Sequence, residues 1–413
     1  MSSRNIEGQN QDVRCCIAGG GPAGMMVGFL LARAGVKVVV LEKHKDFFRD
    51  FRGDTIHPST LELIYELGLL EEFLQVSHQE MRALAGQVGD ETIPLANFEH
   101  LPTKCKFIAF MPQWDFLNFL ADHAREFPTF SLIMGAEVID LIEEGPHIRG
   151  VKINGPNGPS QIKADLVIGA DGRHSIVRER AGLQGEELGA PIDVLWFRIS
   201  RQASDPSQVL GRFVASRIMV MLNRADYWQC GFVIPKHGFE QMQQRGLEAF
   251  RKDIATVAPF LNERVNEIQD WTQVKLLTVA VDRLLKWYRP GLLCIGDAAH
   301  AMSPVGGVGI NLAIQDAVAT ANLLASKLLD RTVSVADLHK VQQRRLLATR
   351  ITQRAQIIVQ ERVLGRALTL TEQTSAPWYF RLPKMIPFLQ RIPAYVIGVG
   401  VRPEHIRTGN AFE

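Results

Sequence analysis

Two glycine-rich stretches hold the residues whose types and spacing could do chemistry. The first, "GGGPAG", sets Gly19, Gly21 and Gly24 in GxGxxG spacing between an apolar run, "VRCCIA", and a segment of small and apolar residues. At a strand-to-helix turn such glycines let the backbone bend and approach a pyrophosphate, and the first helical turn aims unpaired N–H groups at it. Glu42 closes the next β-branched run, "VVVLE", at the distance where a carboxylate accepts hydrogen bonds from ribose hydroxyls. The second stretch, "LLCIGDAAHAMSPVGGVGINLAIQDA" (292–317), brings Asp297, Pro304 and a cluster of glycines in front of an expected helix. Glycine is costly inside regular structure, so this density points to a ligand lying against the main chain. The first motif suits NAD or FAD. The second supplies a further hydroxyl acceptor and a helix start suited to an electron-rich heterocycle, which NAD alone does not need.

These residues require a scaffold. Residues 13–43 read as a βαβ unit, followed by helical patterns near 59–76 and 113–125 and by strands with Gly/Asn/Pro turns over 131–170. Between 185 and 283, short alternating runs such as "DVLWFRIS", "RIMVML" and "YWQCGFVIP" indicate an antiparallel sheet. The chain returns to a strand and glycine loop at 291–310, then to helical patterns from 311 to 370 and a Pro-punctuated tail. The expected organisation is a discontinuous first domain (1–75, 103–184 and 284–335), a second domain (76–102 and 185–283) and a C-terminal helical region (336–413).

Composition narrows the function. The 413 residues carry 46 Lys plus Arg against 44 Asp plus Glu, a net +2 with no long like-charge run, which argues against a nucleic-acid partner. Cysteines 15, 16, 105, 230 and 294 form no CxxC and no spaced framework, as expected of a reducing, cytoplasmic setting. The polar N-terminus lacks the apolar core of a signal peptide, and no apolar stretch has transmembrane length. No HExxH or Cys/His spacing suggests a metal, and no GxSxG provides a nucleophile.

Three motifs in order, "GGGPAG" with Glu42, "ADLVIGADGRHSIVR" and "GDAAHAMSPVGGVGIN", resemble the class A flavoprotein monooxygenases that include para-hydroxybenzoate hydroxylase. The resemblance spans roughly residues 12–330. It implies an α/β fold: an FAD-binding, Rossmann-type domain like that of para-hydroxybenzoate hydroxylase, with an inserted antiparallel β-sheet substrate domain and C-terminal helices. It also implies FAD contacts at Gly19, Gly21, Pro22, Ala23, Gly24, Glu42 and Lys43. Asp171 and Gly172 would sit beside the pyrophosphates and link them to the nicotinamide donor. Gly296 and Asp297 would meet the ribityl chain, with Gln113 nearby, and Val138 would offer its backbone to the adenine. The backbone of Gly309, Ile310 and Asn311 would face the flavin N1/C2=O edge, where a helix N-terminus suits the charge of a reduced flavin. Pro304 would line the site of oxygen chemistry, and Arg52, in "FRGDTIHPSTLEL", resembles a mobile-loop arginine that contacts the cofactors. One departure is Val308, where many members have Gln.

The implied activity is NAD(P)H- and O2-dependent hydroxylation of an aromatic or similarly electron-rich, largely apolar small molecule through a flavin C4a-hydroperoxide. With no second strand-linked GxGxxG, NAD(P)H would bind only transiently. Trp196 and Arg198 share one strand face; Met221 and Trp228 lie on neighbouring runs, and either sheet face could line the substrate cavity. Structural readings compete: Arg52 and Asp171 as a surface pair, His57 and His300 as satisfied core residues. A flavin halogenase, an isoprenoid-type double-bond reductase or a non-catalytic flavin-binding protein would share the fold, as a monomer or homodimer.

Overall fold

The computed structural model describes residues 11–48, 55–89, 91–206, 211–214, 216–365, 368 and 382–413. Its first sheet is built on β1 (Gln11–Ala18), which pairs in parallel with β2 (Val38–Glu42) on one side and with Gly158–Gly169 on the other. Leu292–Cys294 and Phe130–Met134 extend the parallel set outward. Strands covered on both faces read as continuous apolar runs, and all five residues of β2 are buried. Helix α1 (Pro22–Arg33) lies close on this sheet: a Cβ at Gly28 would stand 2.7 Å from Val40 Cγ2, so no larger side chain fits there.

The carboxyl ends of these strands meet at one edge. Gly19 N–H donates to the Leu41 carbonyl (2.7 Å), Ala170 N–H to that of Ala18 (2.8 Å) and Ile295 N–H to that of Gly169 (2.9 Å). Both sequence motifs and the "GADG" turn therefore emerge side by side, at the place where ligands bind in open parallel sheets.

The second sheet runs in the order Lys275–Leu277, Ile192–Ser200, Tyr227–Pro235, Arg217–Asn223, Gly211–Val214, Ala83–Val88, Glu91–Asn97. Its pairs are antiparallel except where Gly211–Val214 meets Ala83–Val88 in parallel, with Gly211 opposite Gly86. The alternating runs at 185–283 also enclose two helices that their strand pattern hides, Phe239–Arg245 and Leu247–Val257. Apolar residues at 250, 254 and 257 give the second a buried stripe that packs on Leu195, Phe197, Met219, Cys230 and Phe232.

This packing settles the face on which two substrate candidates lie. Trp228 and Met221 belong to the helix-covered face, at 0% and 1% exposure, because strand alternation puts them with the core set. Trp228 Nε1 donates to Asp205 (2.8 Å), whose carboxylate also accepts two bonds from Arg264 (2.8 and 2.6 Å). Trp196 and Arg198 lie on the opposite face, half-buried and exposed.

Helix Gly309–Leu329 crosses the first sheet. It lies within the one described segment long and apolar enough to cross a membrane, Val305–Leu329, of which 72% of the most apolar window is buried inside the protein, marking a core helix. Val335–Val359 packs against it and continues into a π-helical turn, Gln360–Gly365. Beyond Gly398 the chain runs without helix or strand back to α1, where Ala411 N–H reaches the Arg33 carbonyl (2.9 Å).

Burial alone would raise the Asp205 carboxyl, yet the Arg264 and Trp228 hydrogen bonds hold it down at about 2. Its stabilisation is therefore present above the ordinary carboxylate range near 4 and is lost as pH falls through about 2. Asp205→Asn, which leaves Arg264 buried without its counter-charge, is expected to lower unfolding free energy by about 3 kcal/mol at neutral pH in urea titrations, with the difference shrinking in acid.

Candidate active site

The three glycines of the first motif serve different ends. At Gly19, with φ +103°, a Cβ would sit 2.4 Å from the Ala170 carbonyl oxygen; at Gly24 it would sit 1.9 Å from the Gly19 oxygen. Those two are glycines so that the protein can pack on itself. A Cβ at Gly21 meets nothing within 4 Å. Gly21 is the N-cap of α1 and offers no side-chain cap, so the N–H groups of the first turn, at Ala23 and Gly24, open toward that clear space, Pro22 having none to satisfy. Here the missing side chain makes room for a ligand.

Glu42 is buried. Its Oε2 accepts from Gly20 N–H and its Oε1 from His44 N–H, both at 3.0 Å. The carboxylate thus fixes the glycine turn it faces, while Lys43 points to solvent. Ala136 N–H donates to the Glu42 carbonyl (2.8 Å), which brings the 135–138 segment, with buried Val138, alongside. Gln113 opens the helix Gln113–Arg125 and is half-buried.

Asp171 follows the Gly158–Gly169 strand. Its carboxylate accepts from Ser175 Oγ (2.5 Å) and Val177 N–H (3.1 Å), and burial pushes its pKa up against those two bonds. The side chain is committed within its own turn. Gly172, at φ +84°, needs glycine for conformation and has open space where a Cβ would be. Arg173, which sequence reasoning did not single out, bridges to the other motif: Nε donates to Asp297 Oδ2 (3.2 Å).

In the second motif, Gly296 (φ +58°) wedges between Ala23 and Ala313, each within 3.2 Å of its would-be Cβ. The 303–309 loop is held from two sides. Thr55 Oγ1 donates to the Gly307 carbonyl (3.2 Å). On the far side, Gln356 receives from Ser303 N–H (3.2 Å) and donates to the carbonyls of Ser303 and Val305 (both 2.9 Å); Gln353 donates to Ala301 (3.1 Å), and Gln360 to Ser303 Oγ (2.5 Å). Positions 353, 356 and 360 fall on one helix face, so this ladder was legible as a spacing, masked by the surrounding arginines. Pro304 sits in the middle of the clamped segment.

Helix Gly309–Leu329 then begins with Val308 at an N-cap without a side-chain hydrogen bond. Gly309 and Ile310 are half-buried, and Asn311 Oδ1 accepts from Ser59 Oγ (3.1 Å) and Thr60 Oγ1 (2.5 Å). Beneath the loop, buried Asp316 accepts from Gly296 N–H (3.1 Å), His300 Nε2 (2.6 Å) and Arg345 Nε (2.9 Å). His300 is thereby a structural partner. His57 is another: burial pulls its imidazole down to about 4, against the raising effect of the Ile397 and Gly307 carbonyls, and its Nδ1 lies 2.7 Å from the Ile397 oxygen. Arg52 falls outside the described residues.

The geometry fits a flavin dinucleotide: two uncapped helix starts, the clear space at Gly21, and acceptors at Glu42 and Asp297 share one sheet edge. Among the described residues no cluster of three His, Cys, Asp or Glu side chains could hold a metal ion.

Comparison with known proteins agrees. A family model described as an FAD binding domain matches residues 12–355. The 6-methylpretetramide 4-monooxygenase of Streptomyces rimosus is 31% identical over 390 residues, 94% of this chain and 93% of that protein. The uncharacterized aromatic compound monooxygenase YhjG of Bacillus subtilis is 26% identical over 313 residues, 73% of this chain and 59% of that longer one. Among solved structures, the OxyS anhydrotetracycline hydroxylase from Streptomyces rimosus shares the fold, with a TM-score of 0.74 at 22% identity over 95% of this chain and 77% of that one.

Gly21→Val separates ligand space from packing. The variant is expected to fold with native circular dichroism and to purify without yellow colour, whereas Gly19→Val should lose stability as well. Full flavin absorbance in Gly21→Val would remove the assignment of that space.

Proposed function

This chain belongs to the FAD binding domain family of class A flavin-dependent aromatic monooxygenases, and from that premise we propose that it hydroxylates a fused-ring, phenol-bearing aromatic with NAD(P)H as electron donor. That it is a flavoprotein monooxygenase follows from the family. The substrate and donor are our reading. FAD, when bound, supplies two-electron redox chemistry and the activation of O2.

The observation that carries the proposal is the uncapped, glycine-flanked start of the 21-residue helix Gly309–Leu329 beside the clamped Pro304 loop. A helix of this length concentrates partial positive charge at its first N–H groups, so the backbone of Gly309, Ile310 and Asn311 stabilises negative charge on a ring edge held there. Pro304, which has no N–H, gives the adjoining wall a fixed φ and no donor of its own. The Ser303 and Val305 carbonyls on either side of it are taken by Gln356 and the Ser303 hydroxyl by Gln360, so the loop keeps its shape when water is displaced. Glu42 and the Gly21 opening hold the adenosine and pyrophosphate end; Asp297, positioned by Arg173, holds the polyol.

For the substrate, the face of the second sheet away from the Leu247–Val257 helix offers half-buried Trp196, which lies over Gly231 so closely that a Cβ there would meet the indole at 3.1 Å, and Arg198, stacked on Tyr227 at 4.9 Å. A flat indole beside a cation favours a planar, electron-rich ring over a hydrophilic acid. The relatives named for 6-methylpretetramide and for an aromatic compound support that class. A reducing, cytoplasmic setting is supported by five unpaired, buried cysteines, whose thiols burial pushes up, Cys16 to about 12.

With no second strand-linked GxGxxG in these 413 residues to hold the donor, flavin reduction should be efficient only when substrate is present. Stopped-flow reduction by NADH or NADPH is expected to accelerate at least about tenfold, a barrier change of roughly 1.4 kcal/mol, with an accepted polycyclic phenol. Arg52→Ala should blunt the acceleration and leave FAD bound. Identical rates with and without substrate would remove gating, and absence of oxygenated product across a broad aromatic panel would transfer the assignment to a reductase.

A further inference from the structure

The C-terminal segment carries a surface that the oxygenase reading does not use. Leu382–Met385, Pro387–Gln390 and Arg391–Gly398 form consecutive short helical turns packed on the edge of the second sheet. Their inner side joins the cluster of Leu84, Ala96, Phe98, Leu101, Ile108 and Phe110 through Ala394 and Val399. At Gly398 a Cβ would stand 2.6 Å from Leu101 Cδ1, so the segment is seated too tightly to swap faces.

Its outer side should then be polar, as on an ordinary surface helix. It is not. Met385 is 76% exposed, Phe388 62% and Ile392 59%, with Ile386, Tyr395 and Val396 each at least 40% exposed. Ile392, Tyr395 and Val396 repeat at i, i+3, i+4, so the apolar stripe of the last helix faces outward. Leu95, on the sheet strand these turns contact, is exposed as well. Isolated exposed apolar residues are ordinary; a contiguous set on a rigid seat marks an interaction surface.

Charge identifies the occupant. Lys384 and Arg391 are exposed within the patch, Arg391 lying over the Phe388 ring at 5.2 Å, and from Arg381 to Pro403 the sequence has four cations and no Asp or Glu. Packing this face on a second copy of itself would bring like charges together. An anionic bilayer satisfies both features: Phe, Ile, Met and Tyr side chains enter the headgroup boundary while the Lys and Arg heads meet lipid phosphates and carboxylates, the two signals that stable peripheral binding requires.

We propose that the 384–396 surface docks the enzyme peripherally on anionic membranes. The full-length, FAD-loaded protein should sediment with sucrose-filled vesicles of equimolar phosphatidylcholine and phosphatidylserine at least about tenfold more than with phosphatidylcholine alone, and high salt should reduce that difference. The exposed double variant Phe388→Asp/Ile392→Asp should lose vesicle binding while keeping FAD content and thermal stability. Lys384→Glu/Arg391→Glu should lose the preference for the anionic lipid. Absence of native sedimentation, unchanged binding in both variants, or a solution dimer that the aspartate pair dissociates would each overturn the proposal, the last by assigning the face to self-association. None of these readouts depends on finding the substrate.

Discussion

The buried carboxylate of Asp316 is the contact on which the site's architecture rests. It sits at no exposure in the Gly309–Leu329 helix and accepts from the Gly296 backbone, His300 and Arg345. Burial alone would favour its protonated form, but His300 and Arg345 hold it below the usual carboxylate range. A charge buried this deeply is tolerable only when its partners fill its lone pairs with good geometry, and such a group fixes where those partners can be. Here the partners are the second glycine motif and the long helix behind it. Arg345 extends the link outward through Glu404, which Arg344 also grips at 2.7 Å. The tail beyond Gly398 is thereby tied to the same anchor.

A second set of contacts works without charge. The Val335–Val359 helix and its π-helical extension turn Gln342, Gln353, Gln356 and Gln360 inward; the first three meet backbone groups of the strand and loop they cover, and Gln360 meets the Ser303 hydroxyl. An amide carries both donor and acceptor, so it can satisfy buried main-chain groups of either kind. It also adds no formal charge beside a helix start whose partial positive charge is what the site offers. The irregular 301–305 backbone stays single-valued because its carbonyls and N–H groups have fixed partners, which suits a wall that must remain shaped as water leaves.

Local backbone requirements were legible in the chain. The Gly19–Gly24 turn, the acceptor at Glu42, the glycine loop before Gly309 and the parallel apolar strands all follow from short-range rules: which residues permit a sharp bend, which leave helix N–H groups open, which alternate or run apolar. Each is decided by neighbours within a few positions, so spacing carries it. The same rules told that a dinucleotide site and a β-rich insertion were present.

What required the folded chain was pairing across long separations and choice of face. Strand alternation divided Trp196 from Phe197 correctly but could not say which set was core; the Leu247–Val257 helix decided it by covering the Trp228 side. Gly19 and Gly21 look equivalent as letters, yet one avoids the Ala170 carbonyl and the other leaves a ligand its room. Asp171 turned its carboxylate to Ser175, and Arg173 took the Asp297 contact, because side-chain partners are set by what tertiary packing brings within reach. Likewise the residues from 385 to 396 read as apolar either way; only their seating on the sheet edge determined that the outward side is the hydrophobic one. Sequence fixes which local conformations are cheap, while burial and partnership are properties of the assembled whole.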